Sequence, residues 1–176
     1  MEHTSNSTRL KQMLNRIGAR RIAIDGINGA GKSHLAREIK AEFGLPWIEL
    51  DRYLIPHQDS FVPSLRTEQL KRDLVDAPEF VIDGICTFQV LEMLGIESVT
   101  VVYVKRFSNS SWDDQNFLVP CGSAEEHVVA RRLDHERIVK AMGAARSFAL
   151  DEEIIRYHAQ YRPHQRARIC YERNTN

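Results

Sequence analysis

The chain has 176 residues, 24 lysines plus arginines against 24 aspartates plus glutamates, and 43% hydrophobic side chains. Its balanced charge excludes recruitment of nucleic acid or an anionic membrane by a global field, and its length suits one domain over residues 1–176 with a core of its own. No apolar run approaches membrane-spanning length, and the opening MEHTSNSTRL lacks the apolar stretch of a secretory leader. Cys86, Cys121 and Cys170 lie far apart, with neither a disulfide framework nor zinc-ligand spacing. A cytoplasmic protein without nucleic-acid or membrane partners is expected.

In chain order, the polar ends (1–8 and 172–176) are expected to be disordered, and a short helix is expected over 9–18. Arg21 to Asp25 is an apolar-leaning run consistent with a buried strand. From Lys32, apolar residues recur at Leu35, Ile39 and Phe43 with helical spacing, and Gly44 followed by Pro46 closes that helix. Between strand and helix stands GINGAGKS, residues 26–33, which matches the P-loop pattern GxxxxGK[ST] in the context that pattern requires. Its glycines let backbone N–H groups turn inward as an anion-binding nest, and the helix N-terminus adds partial positive charge. Lys32 is placed to reach the β- and γ-phosphates of a nucleotide, and Ser33 to put its hydroxyl on Mg²⁺. The nucleotide-binding positions are therefore Gly26, Asn28, Gly29, Ala30, Gly31, Lys32, Ser33 and His34, the last standing where a second hydroxyl residue often follows.

Further strands are expected at 47–50, 80–83, 99–104 and 167–171, and helices at 65–75, 87–94, 124–142 and 151–161. Ser123 and Glu126 give a capping-box signature for the helix over 124–142, and Gly143 ends it. The segment 109–121 reads as an irregular insertion. This alternation predicts an α/β fold of the P-loop NTPase kind, a three-layer sandwich around a five-stranded parallel sheet. In such folds ligands bind beyond the carboxyl ends of the strands, where two acids stand. WIEL ends at Asp51, and FVI ends at Asp83, an apolar strand closing on a carboxylate that can hold a Mg²⁺ shell. Asp51 is the candidate that orients an acceptor alcohol and takes its proton, although a turn aspartate also fits there. Asp25, directly before the loop, reads as structural. Arg131, Arg132 and Arg137 share one helical segment, and guanidinium forks suit phosphate oxygens. Pairing with Glu125, Glu126, Asp134 and Glu136 on a solvated face is the alternative. The region 123–142 is expected to form a short helical lid.

Taken together and in this order, GINGAGKS, LDRYL, VIDGI, VVYVKR, ARRLDHE and RYHAQYRPHQRARICYER resemble the uridine kinase and phosphoribulokinase-like family of P-loop kinases, over about residues 20–172. The resemblance implies ATP and Mg²⁺ as cofactors and transfer of the γ-phosphate to a hydroxyl of a small metabolite, a nucleoside or a sugar. It implies Asp51 as general base, Tyr53 as a substrate-pocket aromatic, Ser33 and Asp83 on the metal, and Lys32, Arg131 and Arg132 as the cations of the transfer. Two departures stand out: His135 and Glu136 replace the outer lid pair, and only a short loop and one helix separate Asp51 from Asp83, where uridine kinases carry a hairpin around the base. A uridine acceptor therefore does not follow. The rival expectation is a nucleotide-binding switch or regulatory NTPase, against which stands the lack of an NKxD-like guanine motif.

Overall fold

The computed structural model describes residues 1–108, 111–119, 122–142 and 147–175. Among these, six parallel strands form one sheet in the order β1-β7-β5-β2-β4-β3: β1 (Glu2–Thr4), β2 (Arg21–Asp25), β3 (Trp47–Glu49), β4 (Phe80–Asp83), β5 (Thr100–Ser108) and β7 (Ile169–Thr175). The two-residue β6 (Ser111–Trp112) is antiparallel to β5. The helices are α1 (Ser7–Arg16), α2 (Lys32–Phe43), α3 (Thr67–Asp76), α4 (Thr87–Leu94), α5 (Ala124–Met142), α6 (Ala149–Tyr161) and the single turn α7 (Pro163–Arg166). None is long and apolar enough to cross a membrane.

The layers follow from the direction of each crossover. From β1 to β2 and from β2 to β3 the chain moves one way across the sheet, whereas β4 to β5 and β5 to β7 move the other way. Crossovers of one hand that run in opposite directions put their helices on opposite faces. Accordingly α1 and α2 pack together against one face, and α4, α6 and α7 pack together against the other. The order reverses beside β2, which pairs with β4 on one side and β5 on the other, so the crevice opens at the end of the strand that enters the P-loop. Ile22, Ala23, Ile24, Val81, Val102 and Val104 are fully buried between the layers, as a doubly covered parallel sheet requires.

The sheet is larger than the expected five strands. Glu2 to Thr4 pairs in register with Ile169 to Tyr171, and the polar tail continues β7 to Thr175 alongside Lys105 to Ser108 of β5. Neither end is disordered in the described structure. Both escape a reading by apolar runs because they are polar strands at a sheet edge, held by main-chain pairing to segments distant in sequence. The expected capping box is present: Ser123 N–H donates to Glu126 Oε2 (2.8 Å) and Glu126 N–H to Ser123 Oγ (3.2 Å). The 109–121 insertion contributes β6 and a 3₁₀ turn over Asp113–Phe117, while residues 109, 110, 120, 121 and Gly143 lie outside the described residues.

Gly84 follows β4 against the end of β3, and a Cβ there would stand 2.8 Å from the Cβ of the fully buried Leu50. Because that neighbour is part of the core rather than a flexible tip, Gly84→Ala is expected to destabilise the fold by about 1–3 kcal/mol. Thermal and urea unfolding check this, with a melting temperature lower by at least roughly 2 °C as the expected result.

Candidate functional site

The P-loop leaves β2 at Gly26 and enters α2 at Lys32. Gly26 has φ 145°, and a side chain there would press on the main-chain oxygen of Val104 at 2.7 Å. Gly31, the residue before α2, has φ 98°, and a Cβ on it would overlap the Arg173 guanidinium. Both positions therefore need glycine on conformation, and Gly26 on space as well, because its neighbour is main chain whereas the arginine tip beside Gly31 can move. The result is a tight turn whose N–H groups lead into a helix N-terminus, the arrangement that takes anions.

Three carboxylates surround it. Asp83, 2% exposed at the end of β4, accepts from Ser33 Oγ at 2.7 Å and from Trp47 Nε1 at 2.6 Å. Burial pushes its carboxyl above the ordinary value, against the hydrogen bonds from Ser33 and Trp47 and the charge of Lys32. Ser33 Oγ and Asp83 are adjoining oxygen donors, the type Mg²⁺ takes alongside waters and phosphates. Asp25, 1% exposed at the end of β2, is hydrogen-bonded by Gly26 N–H (2.8 Å) and by the Tyr157 hydroxyl of α6. These bonds tie the end of β2 to the first residue of the loop and to α6, and burial likewise raises its pKa. Asp51 is an exposed residue of the 3₁₀ turn Leu50–Tyr53 that follows β3, near enough for its charge to act on Lys32.

Lys32 is 8% exposed, and its Nζ donates to the Ile27 carbonyl at 2.8 Å. Burial lowers its pKa, while Asp25 foremost and then Asp83, Asp51 and Asp114 hold the charged form in place. The lysine is thus folded back on the loop with its stem buried.

Other expected residues have different settings. His34 turns its ring to Glu38, 3.1 Å away on the next turn of α2. Tyr53 is buried, with its hydroxyl donated to Asp73 of α3 at 2.6 Å; burial and that carboxylate push its pKa up to about 12. Arg132 is paired with Glu152 of α6 and lies over the Phe148 ring, and Arg131 is 4.0 Å from Asp134. Arg137 also faces Asp134, at 3.4 Å. In this structure the α5 arginines are paired with carboxylates, as on a solvated face.

The guanidinium groups that touch the P-loop are others. Arg106 of β5 donates to the Gly29 carbonyl (3.2 Å) and Arg173 of β7 to the Ala30 carbonyl (3.3 Å). Arg106 and Arg173 are register partners in the β5–β7 pair, which puts both on one face of the sheet. Trp47 and Glu49 belong to the same category of unforeseen neighbours, since Glu49 is the register partner of Asp83. Their signal lies in strand register, which needs the pairing to be known.

Under the loop lies a second buried polar layer. Tyr103 is the register partner of Asp25, and its hydroxyl meets both Asp114 and the His158 Nε2, the latter at 2.8 Å. Burial foremost raises Asp114 to about 6 and holds His158 down at about 4.

At the sequence level, no family model and no curated protein matches the chain. Among solved structures it is similar to a possible uridine kinase from Bacillus stearothermophilus, with a TM-score of 0.53 and 14% identity over 94% of this chain and 96% of that one. It is also similar to an uncharacterised protein from Eubacterium ventriosum ATCC 27560 (TM-score 0.45, 16% identity, 87% of each chain). A gluconokinase from Sinorhizobium meliloti 1021 follows (TM-score 0.39, 16% identity, 88% of this chain and 81% of that one). The first of these spans nearly the whole of both chains, and the two share a fold. At these identities the likeness is one of fold.

Asp114 makes the buried layer pH-dependent. Its folded value of about 6 lies above the ordinary 3.8, so between these pH values the folded chain holds a proton that the unfolded chain has lost. Its contribution to stability is then present at low pH and lost as pH rises through about 6. Asp114→Asn keeps an acceptor for Tyr103 but cannot ionise. Urea unfolding of both proteins across this range is expected to show the variant gaining on the wild type as pH rises, with no further change above roughly pH 7.

Proposed function

We propose that the chain is an ATP- and Mg²⁺-dependent phosphotransferase that moves the γ-phosphate to a hydroxyl of a small metabolite, a nucleoside or a sugar. The observation that carries this reading is the Ser33–Asp83 hydrogen bond, 2.7 Å, beside the nest and Lys32. It joins the residue types that phosphoryl transfer requires at one end of one sheet. In this reading the main-chain N–H groups of Gly29, Gly31, Lys32 and Ser33 cradle the phosphates. Lys32 leaves the Ile27 carbonyl to neutralise charge on the β- and γ-oxygens. Ser33 and Asp83 hold Mg²⁺, which when bound shields the phosphate oxygens and aligns the leaving group. Asp51 orients the acceptor alcohol and takes its proton as the acceptor oxygen bonds to phosphorus and the bond to the β–γ bridging oxygen breaks.

A lid role for Arg131 and Arg132 requires the Arg132–Glu152 pair to open, so α5 closes in this reading by exchanging a carboxylate partner for phosphate. The chain between Asp51 and α3 bears on the acceptor. It is a compact loop joined by a single bridge, Leu54 with Leu65, and held to α6 by Glu153, whose carboxylate accepts from the N–H groups of Phe61 (2.6 Å) and Val62 (2.7 Å). This closed loop supports a small acceptor without the base-wrapping hairpin of a uridine kinase.

ADP formation across a panel of nucleosides, sugars, vitamins and polyols tests the reading and identifies the acceptor. Lys32→Met keeps the buried stem and removes the charge; it is expected to abolish transfer while thermal melting still shows a cooperative fold. Turnover retained in that folded variant would overturn the assignment of the loop.

With an acceptor in hand, Asp51→Asn is expected to lower kcat by roughly 10²–10⁴, the range of a positioned general base, and to leave ATP affinity nearly unchanged. A nucleotide switch would instead show hydrolysis independent of any acceptor and indifferent to this substitution.

A further inference from the structure

On the sheet edge formed by β1 and β7, three side chains of different donor chemistry converge. His3 and Cys170 are register partners in the parallel pair, and Glu172 follows Cys170 by two residues, so all three project from one face. His3 Nδ1 is 3.1 Å from Glu172 Oε1, and one nitrogen, one sulfur and one carboxylate oxygen lie within 4.8 Å of one another. Among the described residues this is the one cluster of histidine, cysteine and acidic groups with that geometry.

We infer that His3, Cys170 and Glu172 form a binding site for a single Zn²⁺ ion, which fastens the N-terminal strand to the sheet. The donor set selects the ion. A thiolate with an imidazole and a carboxylate is borderline-soft, which suits Zn²⁺ and excludes Mg²⁺ or Ca²⁺, whose ligands are oxygens. Zinc bonds of about 2.0–2.3 Å in tetrahedral geometry set ligand atoms roughly 3.3–3.8 Å apart. His3 and Glu172 already meet near that spacing, and the cysteine sulfur lies within 4.8 Å of both ligand atoms. Thiolate and carboxylate together balance the charge of the ion, so the loaded site is neutral against the core, and three protein ligands leave a fourth position to water.

Access also fits. The His3 and Glu172 side chains are 46% and 37% exposed, whereas Cys170 is fully buried behind them, so an ion enters from solvent and meets the sulfur last. Lys105, the β5 register partner of Glu172, sets its ammonium over the Trp112 ring, 4.4 Å from the centroid. Burial raises the uncomplexed Cys170 thiol to about 11; a coordinating cation reverses this, because a metal-bound thiol is deprotonated outright. The consequence is a brace: a strand of only three residues is tied across the whole chain by a bond that forms when the fold is complete.

The test is independent of any catalytic activity. The full chain, stripped with a chelator, is titrated with Zn²⁺ by calorimetry and with Co²⁺ by absorbance. One equivalent is expected to bind, with a thiolate-to-cobalt charge-transfer band, and saturating Zn²⁺ is expected to raise the melting temperature by roughly 5–10 °C at a hundredfold excess over Kd. Cys170→Ser is expected to remove the charge-transfer band. His3→Ala and Glu172→Gln alter partly exposed side chains and are expected to weaken Zn²⁺ by more than roughly 10–100-fold, the loss that even outer-shell changes produce. If Cys170→Ser does not fold, His3→Ala alone decides. No stoichiometric binding, or binding that survives His3→Ala unchanged, would show that the three residues make only a hydrogen-bonded sheet edge.

Discussion

The carboxylate of Asp83 has two hydrogen-bond donors from two different elements, and the arrangement of the site depends on that meeting. Ser33 reaches it from the first turn of α2 and Trp47 from the start of β3. A buried carboxylate without donors is costly, so β2, β3 and β4 must lie in one order and at one register for the group to remain where it is. The same constraint puts Asp51 just past β3, and Gly84 must be small because Leu50 fills the space beside it. The hydrogen bonds to this one side chain thus tie together the first turn of α2, the start of β3 and the end of β4.

Helix α6 is the second organising element, and it acts through polar groups. Tyr157 donates to Asp25 beneath the P-loop, and His158 joins Tyr103 in the adjoining buried layer. On the outer side Glu153 fastens the 61–62 main chain and Glu152 holds Arg132 of α5. One helix thus touches the foot of the glycine-rich loop, the loop between β3 and α3, and the α5 helix. Buried members of this set, in low dielectric, contribute more to position than the exposed pairs, which water and salt screen. A change at α5 that breaks the Glu152 contact is therefore a surface event, whereas one that moves Tyr157 alters the support of the loop itself.

Several elements were legible in the sequence because their signals are local. The spans Arg21–Asp25, Lys32–Phe43, Phe80–Asp83, Thr87–Leu94 and Ala124–Met142 follow from apolar spacing, capping residues and glycine stops. Glu2–Thr4 and the tail beyond Tyr171 were not, since polar edge strands acquire their conformation from partners far along the chain. In the same way Lys32 reads from the motif as a free phosphate ligand, but its buried stem and its bond to Ile27 belong to the folded loop.

By itself the sequence determined the glycine-rich turn between β2 and α2, the acids Asp25 and Asp83 at the ends of their strands with Asp51 just beyond β3, and the alternation that builds a parallel sheet, because each is written in a local pattern of residues. Only the tertiary structure decided which side chains share those places. It brought Arg106 and Arg173 to the loop carbonyls, tied Arg132 to Glu152 and Tyr53 to Asp73, and set His3 beside Cys170. Contacts of that kind depend on strand register and crossover direction, and these are settled by packing the whole sheet at once.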